Sequence, residues 1–82
     1  MKTYKIVKVE WDDISAYTAW RNIGEVKDCT PLRCVTVGTR VKAKRGNLAV
    51  FQTISENMNV ADAMIIPKKN VRKVEVIGTY RA

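Results

Sequence analysis

Two stretches near the ends of the chain, TYKIVKVEW at 3–11 and VRKVEVIG at 71–78, alternate apolar and charged side chains. A period of two puts Val7, Val9 and Trp11 on one side of an extended segment, with Lys8 and Glu10 on the other. By the same rule Val74 and Val76 turn inward, and Lys73 and Glu75 outward. A helix would scatter those residues around its axis, so the pattern predicts strands. In a chain of 82 residues the other segments must then supply the strands that pair with these two.

They read as such. Residues 32–44, LRCVTVGTRVKAK, form a long strand with Gly38 inside it, and a glycine in that place marks a bulge or a sharp bend. Its alternation assigns Val35, Val37, Val41 and Ala43 to one face and Thr36, Arg40, Lys42 and Lys44 to the other. Arg45-Gly46-Asn47 is the turn, and 48–55, LAVFQTIS, return as the third strand. Two- and three-residue loops would place Phe51 on opposite faces, which leaves the register open. A polar connection, 56–62, leads to a short fourth strand, AMIIP at 63–67. Lys68-Lys69-Asn70 suits one tight or 3₁₀ turn, the fifth strand follows at 71–78, and 79–82 form a tail. Between the first two strands lies an irregular loop, 12–31, which admits a short helical turn near Ser15–Arg21 capped by Asp13 or Ser15. The prediction is an all-β, five-stranded SH3-like or Sm-like barrel, a single domain over residues 1–82, in which closure protects short strand edges.

Composition narrows the function. The chain has no histidine, which removes the commonest general base and zinc ligand. Cys29 and Cys34 have no second pair to complete a metal site and read as free thiols. Asp12 and Asp13 are adjacent, so their carboxylates point apart and fit a turn or cap better than shared acid–base work. No glycine-rich phosphate loop is present. The expectation is a non-enzymatic protein with no cofactor and no metal. No apolar run reaches membrane-spanning length, and MKTYKIVKVEW lacks the apolar block of a leader, so the predicted location is the cytoplasm, without membrane contact.

The net charge is +7, unevenly placed. Residues 10–28 hold Glu10, Asp12, Asp13, Glu25 and Asp28 against Arg21 and Lys27, a local −3, leaving +10 on the rest. A basic body with one acidic loop attracts polyanions on part of its surface. Two clusters could neutralise phosphates: Arg40, Lys42, Lys44 and Arg45 on the bent strand, and Lys68, Lys69, Arg72 and Lys73 after the tight turn. The predicted ligand is RNA, single-stranded DNA or a nucleotide. In the loop, Tyr17, Trp20 and Arg21 are residue types that anchor protein interfaces, which gives the alternative of a host or defence protein as partner. Trp20 has a second reading as a cap on the open end of the barrel.

Two resemblances bear on this. Ile66-Pro67-Lys68-Lys69-Asn70-Val71-Arg72-Lys73-Val74 resembles the second Sm motif, and Val37-Gly38-Thr39 resembles the bent strand of the first, over residues 35–78. The family's Arg-Gly reads Pro67-Lys68 here, and no Asp-x-x-x-Asn follows Gly38, so the uridine pocket is not carried over. The fold and self-association into a homo-oligomer are what the resemblance implies. The pattern Val9-Glu10-Trp11-Asp12-Asp13, Trp20, Val37-Gly38 and Ile66-Pro67-Lys68 through Val71 is similar to small accessory proteins of tailed phages. That likeness implies a binding module at work in the host cytoplasm, including counter-defence by inhibiting a host protein or sequestering a nucleotide signal.

Overall fold

The computed structural model describes residues 2–13 and 20–81. Seven strands form along them: β1 (Thr3–Asp13), β2 (Leu32–Lys42), β3 (Leu48–Phe51), β4 (Thr53–Ile54), β5 (Val60–Ala61), β6 (Met64–Ile66) and β7 (Val71–Arg81). Five make one antiparallel sheet in the order β6-β3-β2-β1-β7, while β4 and β5 form a separate hairpin. Among the described residues the chain is all-β apart from the five-residue helix α1 (Ile23–Lys27) and two 3₁₀ turns, Lys44–Gly46 and Lys68–Asn70. Among the described residues β6 pairs only with β3, and β7 only with β1, so the ladder stays open along those two edges.

The alternation in β1 does what the sequence predicts. Val7 and Val9 are fully buried with Val50 and Ile66, and Trp11, Leu48 and Val71 pack against them. Each fully buried aliphatic side chain contributes about 1.5–3 kcal/mol. The Trp11 indole N–H donates to Thr36 Oγ1 at 2.9 Å, which fixes β1 against β2 beside the core. On the opposite face Lys8 stands across from Glu75, and Glu10 across from Lys73. Opposite charges facing one another across a ladder stabilise that register.

The inward face of β2 is the reverse of the expected one in its first half. Thr36 and Gly38 lie opposite Val9 and Val7, whereas Val35 and Val37 are 58% and 46% exposed. The reason is room. A Cβ on Gly38 would stand 2.7 Å from Val50 Cγ1 and 2.8 Å from the Phe51 carbonyl oxygen. Val50, Phe51 and Gln52, on and just beyond the neighbouring strand β3, press close to Gly38, so no side chain fits there.

Other boundaries move as well. β1 runs on to Asp13, and the third strand breaks at Gln52, whose side-chain amide donates to the Val37 carbonyl. Beyond the break, β4 pairs with β5, so the connection at 56–62 contains a strand. The tail is strand too. Tyr80 in β7 stacks on Tyr4 at 5.7 Å between ring centroids and accepts a bond from the buried Thr39 hydroxyl at 3.1 Å. Phe51 is buried opposite Thr39, which settles the hairpin register.

The helical turn expected at Ser15–Arg21 falls mostly outside the described residues. The helix that is described, α1, follows Asn22, whose side chain accepts from the Gly24 N–H at 2.8 Å as an N-cap should. It buries none of its residues. Among the described residues no helix is long and apolar enough to cross a membrane.

Candidate anion-binding pole

The two basic clusters, more than twenty residues apart in the chain, are joined through their turns. Asn47 closes the first turn: its N–H donates to the Lys44 carbonyl at 3.2 Å, and its carbonyl accepts from Ala43 at 2.9 Å. Its side-chain Oδ1 then accepts the Lys68 N–H at 3.0 Å. This bond ties the second turn to the tip of the first. A Cβ on Gly46 would lie 3.4 Å from Lys68 Cδ and 3.9 Å from its Nζ. Lys44, Arg45, Lys68 and Lys69 therefore converge at one pole, with Lys42 at its foot opposite Leu48. Asn47, Pro67, Lys68 and Lys69 line a shallow cleft of about 450 Å³ there.

The backbone at the pole is unusual. Arg45 has φ 61° and Gly46 φ 76°. Positive φ at both central positions is the mark of the primed turns that match strand twist. Glycine adopts it freely, but an arginine there costs roughly 1–2 kcal/mol. A strained basic residue at the tip of a basic cluster fits a role outside the fold. Arg45→Asn should raise stability by about 0.5–1 kcal/mol, because Asn tolerates the left-handed region. Urea unfolding would measure this, and an unchanged or lower midpoint would remove strain from the argument.

The other predicted residues are placed differently. Arg72 is the extra residue at a bulge in the β1–β7 ladder. Its Nε donates to Asp12 Oδ2 at 2.7 Å, beside the bond from Asn70 Nδ2 to the Asp12 carbonyl at 2.8 Å. Lys73 faces Glu10 across the ladder and lies 3.7 Å from Glu75. Both cations are matched by carboxylates. Arg40 is half-buried between Lys5 and Val50, its partners on the neighbouring strands, and does not project with Lys44. No described carboxylate forms an ion pair with Lys44, Arg45, Lys68 or Lys69.

Of the loop residues, Tyr17 lies outside the described residues. Trp20 is fully exposed, so among the described residues it caps nothing. Arg21 pairs with Glu25 at 3.9 Å. Cys29 and Cys34 are free thiols, the first exposed and donating to the Glu25 carbonyl at 3.1 Å. Sequence reasoning missed Asn47, since one hairpin asparagine carries no sign of a partner twenty-one residues on. Lys5 beside Arg40 was also missed, because that pairing follows from register alone.

No protein-family profile, curated protein or solved structure matches the chain.

Proposed function

We propose that this chain is a non-enzymatic binding module whose basic pole takes up the phosphates of a single-stranded nucleic acid. Lys44, Arg45, Lys68 and Lys69 make the contacts. The observation that carries this reading is the Lys68 N–H bond to Asn47 Oδ1, which holds two turns together and gathers cations that pair with no described carboxylate. The residues lining the cleft include no aromatic ring, so charge and not base stacking supplies the affinity; this favours a polynucleotide backbone over a free nucleotide. The strand order, the Gly38 bend and the 3₁₀ turn between the two outermost strands of the sheet support an SH3/Sm-like arrangement. An accessory role in a phage-infected host fits a module of this kind.

The test is the salt dependence of binding to a short single-stranded oligonucleotide. Four phosphate contacts give a slope of log K against log salt of about −3, so affinity should fall about 50-fold between 50 and 200 mM salt. A flat response would overturn the reading. The exposed Trp20 favours a second one, docking of a host or defence protein. Affinity that ignores salt but vanishes in Trp20→Ala would move the function there.

A further inference from the structure

The outer edge of β7 is the longest unpaired strand edge in the sheet. Its eleven residues bond to β1 on one side and to no described strand on the other. Along it Val74, Val76 and Ile77 are 36%, 48% and 52% exposed, interleaved with Arg72, Lys73 and Glu75. A free edge of this length is a template for another strand. The opposite edge, β6, is only three residues long and ends at Pro67, two of the devices that blunt an edge.

From this edge we infer that β7 pairs antiparallel with β7 of a second copy, about a two-fold axis through Val74. The inference is independent of the ligand assigned to the pole. Three features fix the occupant and the register. First, in a regular antiparallel ladder facing residues share a side of the sheet, so self-pairing about a two-fold places one residue opposite itself. Second, charge chooses that residue. An axis at Arg72, Lys73 or Glu75 sets like charges face to face, which is destabilising. An axis at Val76, or at Gly78 where Glu75 would meet Arg81, brings the irregularity at Ile77 next to the centre of the ladder. An axis at Val74 sets Lys73 opposite Glu75 of the second copy, twice by symmetry, within the regular run Lys73–Val76 that lies between the extra residues Arg72 and Ile77. Third, Val74 lies beside the fully buried Val9. The row Thr36–Val9–Val74 would then continue into its copy, covering apolar surface now left at the rim of the core.

Native mass spectrometry of the full chain, with Val74→Arg and Ile65→Arg, tests the assignment. The expected result is a pair, twice 9.3 kDa, for the unmodified chain and for Ile65→Arg, and a single 9.3 kDa subunit for Val74→Arg. A two-fold pair uses β7 alone, so a charge on β6 leaves it intact. Any other mass for the unmodified chain, a pair that survives Val74→Arg, or loss of the pair in Ile65→Arg would overturn it. Should Val74→Arg fail to fold, Val74→Cys in a Cys29→Ser/Cys34→Ser background gives a second reading. A residue on the axis crosslinks to its own copy under mild oxidation, and absence of that crosslink would equally overturn the assignment.

Discussion

Gly38→Ala is expected to destabilise the protein by about 2–3 kcal/mol, the range for overpacking a tight site. In a domain of this size that lowers the melting temperature by roughly 10–20 °C. The added methyl would meet Val50 Cγ1 at 2.7 Å, Gln52 Nε2 at 2.8 Å and the Phe51 carbonyl oxygen at 2.8 Å. The glutamine could swing away at small cost. Val50 is locked in the core, and the Phe51 carbonyl belongs to the backbone of β3, so neither yields without shifting β3 against β2. Gly78→Ala is the control, since its methyl would sit at an ordinary 3.6 Å from Ile6 Cδ1 and should change stability by no more than several tenths of a kcal/mol. Equal melting temperatures for the two variants would mean that Val50 and the Phe51 carbonyl do not press on Gly38.

The second large effect is on binding. Lys68→Gln/Lys69→Gln should weaken oligonucleotide affinity roughly 70-fold at 50 mM salt and cut the salt slope from about −3 to about −1.5, two phosphate contacts being lost. Arg72→Gln/Lys73→Gln removes the same two charges from a net +7. It should change affinity less than about threefold, because those cations face Asp12, Glu10 and Glu75 and are already neutralised locally. The comparison separates placement from total charge. Similar losses in both variants would show that the protein attracts nucleic acid by net charge alone, and the pole would lose its standing as a site.

How far the sequence could be read depended on whether a feature was local. The alternation in TYKIVKVEW and VRKVEVIG is local, and both segments are strands with Val7 and Val9 inside. Gly38 as a bend and Lys68–Asn70 as a single turn are local too. The facing of Val35 and Val37 is not: their alternation is regular, yet which side is buried depends on Thr36 and Gly38 lying opposite Val9 and Val7, and on β3 pressing close to Gly38. The division of the eight basic residues into a convergent set around Lys44 and Lys68, the matched pair Arg72 and Lys73, and a half-buried Arg40 was equally out of reach. It depends on Asn47 meeting Lys68, and on Asp12 and Glu10 meeting Arg72 and Lys73 some sixty residues later. Contacts across such separations leave no trace in composition or period.

The place of β1 also governs how the sheet is assembled during synthesis. Of the seven strands it leaves the ribosome first, yet it lies in the interior of the sheet, between β2 and β7. Its partner β7 is the last to be made. Until that strand emerges, one edge of β1 stays unpaired, with Val7 and Val9 beside it. A nascent chain halted before Val71 would therefore expose this edge as a chaperone substrate, and the closing β1–β7 ladder, spanning nearly the whole sequence, carries the high loop-closure entropy that slows folding.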